Sequence, residues 1–211
     1  MSGRNSKLPK QKVRFDCGPY LLRTITVADA SDRWAAWMNE PKNLRLLNSA
    51  AKFMTKDDVA AYIKQFDQRS HLLIGIFEKH SDLHIGFFRI DIDPRLKRCL
   101  VFLIGDPKYR HSFQFTRERM APFFAFIFET LGLNMMLATV LAHNRALTGF
   151  LLRQGWSLDK TLERNVKSEI DGQMLDLCLF SFSRDAWEGW KSRAMSIDGL
   201  GDQRKPPATS G

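Results

Sequence analysis

Between Tyr20 and Trp190 the chain alternates two hydrophobic rhythms, one of period two and one of helical period. "YLLRTIT", from Tyr20, reads as a short strand. "DASDRWAAWMNEP" follows as a helix with Trp34, Trp37 and Met38 on one face and Pro41 just past its end. "NLRLLNSAAKF" reads as a second short helix. In "TKDDVAAYIKQFDQ", Thr55 is placed to cap a helix with Asp57 and Asp58 in its first turn, and Val59, Tyr62, Ile63 and Phe66 form its apolar stripe. Three strands come next. "HLLIGIFEKH" is bounded by "SD", which suits a tight hairpin turn. "LHIGFFRIDID" sets Phe87, Arg89 and Asp91 on one side and Phe88, Ile90 and Ile92 on the other. "RCLVFLIGD" is a continuous apolar run, the pattern of a central strand covered on both faces.

The second half repeats the mixture. "APFFAFIFETLG" predicts an apolar helix closed by Gly132, "MMLATVLA" a buried strand, and "NRALTGFLLRQG" a helix capped by Asn144 and ended by Gly155. "ERNVKSEIDGQ" reads as a polar loop or hairpin turn, "MLDLCLFSFS" as a late strand and "RDAWEGWKSRAM" as a terminal helix. The order β, helices, three β, α, β, α, β predicts a mixed α/β domain. Its middle is an antiparallel meander that then acquires crossover helices. The expected organisation is a basic tail at 1–18, one domain at 19–194 and a second tail at 195–211.

Charge changes this picture at one end. The net charge is +9, and Arg4, Lys7, Lys10, Lys12 and Arg14 carry five of it with no acid before Asp16, leaving +4 for the rest. The basic balance is thus partly a solvated tail, with attraction to an acidic partner as the other reading. No aromatic-interleaved basic repeat points to nucleic-acid readout. Neither a membrane-length apolar run nor a signal-peptide core is present, and Cys17, Cys99 and Cys178 lie far apart. A cytoplasmic protein without membrane, metal or disulfide framework is expected.

The candidate chemistry lies between Val101 and Trp156. "FLIGDPKYR", "FETLGLNMMLATV" and "HNRALTGFLLRQGW", in that order, resemble the GNAT superfamily of N-acyltransferases, in particular the branch of ribosomal-protein alanine and spermidine acetyltransferases. "LLRTITVADASDRWAAWMNEP" and "DLCLFSFSRDAW" look like the same branch, so the resemblance spans roughly Tyr20 to Trp190. It implies a mostly antiparallel sheet flanked by helices, with two splayed strands forming a cofactor cleft. An acyl-CoA co-substrate, acetyl-CoA or another, would lie in that cleft, its pantetheine arm pairing with strand backbone and its pyrophosphate at a helix N-terminus. The resemblance places Phe102, Leu103 and Ile104 against the pantetheine, Asn144 nearby, and the pyrophosphate loop at Arg110, His111, Ser112, Phe113, Gln114 and Phe115. The implied acceptor is an amine-bearing small molecule or a protein N-terminus. A homodimer is left open.

The loop departs from the family pattern. Small residues are expected where Phe113 and Phe115 stand, because glycine permits close approach of phosphate oxygens to the backbone. A helix beginning near Gln114 would contain Pro122, at a cost of about 3 kcal/mol. The expectation is that it kinks there or begins later. Lys108, Arg110, His111, Arg117 and Arg119 keep the stretch basic, so side chains could replace a backbone nest. Three readings follow: conventional acyl-CoA use, a carrier-protein thioester donor, or a binding module without catalysis. Leu151 stands where many relatives place a proton-donating Tyr. Asp91, Cys99 and His143 are the remaining catalytic candidates, each with a purely structural alternative. Asp106 is expected to shape the turn at Pro107.

Overall fold

The computed structural model describes residues 8–49, 53–109 and 115–201, with the side chains of 194–201 excepted. Eight strands form one sheet: β1 (Arg14–Cys17), β2 (Tyr20–Thr24), β3 (His71–Glu78), β4 (Leu83–Asp93), β5 (Arg98–Gly105), β6 (Met135–Leu141), β7 (Ser157–Lys167) and β8 (Met174–Ser183). Their order across the sheet is β1-β2-β3-β4-β5-β6-β8-β7. Every pairing is antiparallel except β5 with β6. The helices are α1 (Asp32–Met38), α2 (Pro41–Leu47), α3 (Lys56–Ile63), α4 (Arg117–Ala125), α5 (Arg145–Arg153) and α6 (Arg184–Gly201). The predicted fold class, a mostly antiparallel α/β sheet with flanking helices, is the one observed.

Local sequence explains most boundaries. The Thr55 hydroxyl accepts from the Asp58 backbone N–H while the Asp58 carboxylate accepts from Thr55 N–H, a reciprocal cap at the head of α3. Pro41 does not merely follow α1. It opens α2 at its first position, where the missing N–H would have had no partner. Asn144 caps α5 by accepting from Leu147 N–H, and Gly155 ends it with φ +84°.

Two strands differ from the expectation. β1 lies inside the stretch 1–18 assigned to a basic tail. Cys17 is fully buried, and Phe15 pairs with Leu22 of β2. Two core-facing residues, Phe15 and Cys17, alternating with the charged Arg14 and Asp16 are too few to show as a pattern. β7 extends into the first part of what read as a polar connector, from Glu163 to Lys167, and its residues are almost all exposed because it is the outer edge of the sheet. At the other end α6 runs past the 194/195 boundary to Gly201.

The sheet separates two cores. One face, with Ile74, Phe88, Ile90 and Val101, packs on α4 and on Trp187 of α6. The other, with Leu73, Phe87 and Ile104, packs on Trp34, Trp37 and Val59 of α1 and α3. The helix α4 starts at Arg117 and keeps Pro122 in its interior. The chain then widens into a π-helical turn at Phe126–Thr130, where Leu131 N–H donates to Phe126 C=O. Pro122, without an N–H, is one source of irregularity in this helix. Arg184 braces its far end by donating to the Phe128 and Leu133 carbonyls.

Candidate active site

The parallel pair β5–β6 holds the opening. Register joins Arg98 with Met135, Cys99 with Met136 and Leu100 with Leu137, and then the strands part. β5 continues along β4 to Gly105, and β6 continues along β8 to Leu141. On the β6 side, the backbone edge of Val101–Gly105 therefore has no strand partner. Such an edge can pair with an extended, amide-bearing chain.

A cavity of about 360 Å³ fills the gap. Its lining passes through the sheet. Val101, Met120, Phe123, Met136, Leu151 and Trp156 face the α4/α5 side, and Leu46, Leu47, Phe102, Leu141, Val166 and Leu177 the other. A second cavity of about 300 Å³ adjoins it at the end of β5 and shares Leu103, Asn144, Leu147 and Phe150. Arg145 and Arg153 stand at this mouth, where no carboxylate lines the wall among the described residues. The main cavity has no ionisable side chain among its described lining. Its polar members are Asn48, Thr139, Asn144 and Gln154.

Gln154 and Asn48 do specific work. Gln154 is buried. Its Nε2 donates to Phe115 C=O at 2.7 Å, and its buried Oε1 has no partner among the described residues. Asn48, in the left-handed conformation after α2, donates to Lys167 C=O at 2.8 Å and accepts from Glu169 N–H at 2.9 Å. It thereby ties α2 to the β7 end of the sheet beside the cavity. At the β5 end, Asp106 is buried. It accepts from Arg33 of α1 at 2.5 Å and from Lys108 N–H at 2.9 Å, so it shapes the turn as expected.

The predicted site residues divide. Phe102 lines the main cavity, Ile104 the mouth, and Leu103 and Asn144 both. Arg110, His111, Ser112, Phe113 and Gln114 lie outside the described residues. Phe115 does not stand in a phosphate cradle. It is buried in the core with its ring 4.9 Å from Tyr20 and 6.3 Å from Phe150. Three catalytic candidates are elsewhere. Asp91 is paired with His71 at 2.9 Å and Arg89 at 2.8 Å. Cys99 is buried, and desolvation pushes its thiol up to about 12, so no thiolate forms near neutrality. His143 is exposed on the turn before α5, and none of the three lines either cavity.

Sequence reading misses the α2 wall, Gln154 and the walls from β7 and β8. Gln154 stands beside a glycine already assigned as a helix end, and nothing in its spacing marks it. The Leu46–Asn48 wall belongs to a predicted helix, but its contact with Lys167 and Glu169 is over a hundred residues away in sequence.

At the head of α4, Thr116 Oγ1 accepts from Arg119 N–H at 3.3 Å. The Arg117 side chain lies over Gly155, where a Cβ would come within 2.0 Å of its guanidinium. Burial weakens its hold on a proton, Arg193 adds repulsion, and its Nε is buried without a partner among the described residues. An anion would relieve both.

Splayed parallel strands in an otherwise antiparallel sheet, an Asn-capped helix beside them and an apolar slot between are joined by a direct sequence match. The family model of the acetyltransferase (GNAT) domain matches residues 20–157, more than half of the chain. The chain belongs to the GNAT acetyltransferase family. A comparison with curated proteins finds no match. Among solved structures, this GNAT domain is similar to an acetyltransferase of the family from Bacillus anthracis, with TM-score 0.68, 10% identity, and 82% of this chain and 99% of that one covered. It is similar to ribosomal-protein-S5-alanine acetyltransferase from Vibrio fischeri, with TM-score 0.67, 16% identity and coverage of 83% and 98%. It is also similar to spermidine N-acetyltransferase from Vibrio cholerae, solved with CoA and spermine, with TM-score 0.68, 14% identity and coverage of 80% and 98%. At such identities these likenesses concern the fold.

Proposed function

We propose that this GNAT protein is an N-acyltransferase that moves an acyl group from a CoA thioester to a primary amine. The observation that carries the reading is the open slot between β5 and β6, bordered by the backbone edge Val101–Ile104, which has no strand partner on the β6 side. The residues present fit the donor. The β5 edge offers N–H and C=O groups to pantetheine amides, and the orphaned Gln154 Oε1 offers an acceptor to an amide N–H. Asn144 borders the same slot. Arg145 and Arg153 at the mouth and the unrelieved Arg117 at the head of α4 give phosphate charge cationic partners.

A CoA thioester held there supplies an acyl carbon open to direct attack by an amine. The chain's share is positioning and exclusion of water. Leu151 lines the slot and offers no proton, and no ionisable side chain lines it among the described residues. The amine therefore enters neutral, its proton lost to solvent. Acceptor chemistry follows from the same lining: with no carboxylate to hold an ammonium, the slot suits a monoamine, a protein N-terminus included, better than a polyamine. Among the described residues no observation favours a carrier-protein donor or a binding module, and Phe115 lines neither cavity.

The test is release of free CoA from acetyl-CoA against a panel of amines, with mass detection of the acylated product. Turnover with at least one primary amine is expected. Its kcat/KM should rise about tenfold per pH unit up to the acceptor's own pKa. Absence of both turnover and binding with every acyl-CoA tried, acetyl-CoA included, would remove this reading. A plateau set by an enzyme group near neutrality would overturn the account of the proton.

A further inference from the structure

We infer that the donor's acyl group is longer than acetyl, and that the part of the cavity under α4 is its chain pocket. The inference rests on the reading above and names the substrate class of that same site. Three independent features converge. The cavity of about 360 Å³ is not confined to the β5 edge where pantetheine would pair: it also extends between α4 and β6, to Met120, Phe123 and Met136, and the methyl of an acetyl group would use a small part of that side. Its lining grades from half-exposed Leu103 and Phe150 to Met120, Phe123 and Met136, each at most 2% exposed. Met120, Phe123 and Met136 carry no side-chain N–H or O–H group, so this wall offers ordered water no strong partner and an apolar chain is the occupant it suits; the polar Gln154 lines the cavity from the end of α5.

The second feature is the helix that walls it. α4 carries Pro122 between Met120 and Phe123, and the chain turns π-helical from Phe126. Pro122 lies in the part of the helix that faces the slot, between the lining residues Met120 and Phe123, where a regular helix would seat its side chains at even spacing; the π-helical turn follows beyond the lining. The third is side-chain type. Met120 and Met136 face the cavity from opposite walls, and their unbranched thioethers adjust to chains of differing length. Opposite α4, Ala138 of β6 leaves room that a larger residue would fill.

The experiment titrates acetyl-, butyryl-, hexanoyl- and octanoyl-CoA calorimetrically into the full chain and into Ala138→Val and Ala138→Leu. For the full chain, affinity should rise about fourfold per added methylene at least as far as hexanoyl. Ala138→Leu should lose the increments beyond butyryl, and Ala138→Val should lose fewer. The wild-type series stands without the variants if either fails to fold. Tight acetyl-CoA binding with no gain from longer chains would overturn the inference and leave the acyltransferase reading intact. Binding of no thioester at all would overturn both.

Discussion

Phe115 shows how one residue changes meaning when its neighbours are known. By position it stands where a phosphate loop wants a small residue, and the sequence pairs it with Phe113 as an obstruction. The structure puts its ring among Tyr20, Phe88 and Phe150, and Gln154 grips its carbonyl. Phe115→Ala should therefore destabilise the fold by about 3–5 kcal/mol in chemical denaturation, with no gain in CoA affinity. Tighter CoA binding without loss of stability would contradict that role. A linear pattern shows that a residue is apolar and near a loop. It does not show which distant rings meet it, and here they come from β2, β4 and α5. His84 was equally opaque. It stacks on Phe77 at 4.8 Å and meets Trp34 edge-on at 4.7 Å, and burial pushes its pKa down to about 4, partly offset by the Gly86 backbone. The unfolded chain, with an ordinary His near 6.5, binds the proton first as pH falls. The stability held above pH 6.5 is thus lost between about 6.5 and 4, about 2 kcal/mol of it between pH 7 and 5. Denaturation midpoints at the two pH values should differ accordingly, and His84→Phe should flatten the difference.

At the scale of elements, legibility followed burial. The strands β3, β4, β5, β6 and β8 carry apolar runs or alternation because one or both faces meet a core, and each was readable. The two strands that were not, β1 and β7, are the two edges of the sheet. An edge strand needs charge against further pairing, and that charge erases the pattern that would announce it. The continuous run of β5 predicted cover on both faces, yet Phe102 and Leu103 are only half-buried. They are the apolar wall of a slot, which in sequence looks like a core. Asn48 gives a test at this scale. It holds the Glu169 amide and the Lys167 carbonyl from the end of α2. Asn48→Ala should cost about 1 kcal/mol and speed hydrogen exchange at Glu169 N–H. Unchanged exchange there would mean that the tie between α2 and the β7 region is made elsewhere.

The whole molecule is a sheet interrupted at one place. Seven junctions join its eight strands, and only β5–β6 is parallel and short in register. No described helix is long and apolar enough to cross a membrane. Arg145 and Arg153 stand at the open end of the gap and Arg117 at the head of α4, while the described lining of the gap itself is mostly apolar and carries no charge. That arrangement sorts a ligand with an anionic end and an apolar end along one direction. The central claim is that a CoA thioester lies along β5 in this gap, and hydrogen exchange with and without acetyl-CoA tests it most directly. Protection is expected to rise at the backbone amides of Val101–Gly105 and at the head of α5 from Arg145 to Leu147. Unchanged exchange in both segments at saturating acetyl-CoA, or protection confined to another part of the sheet, would contradict it.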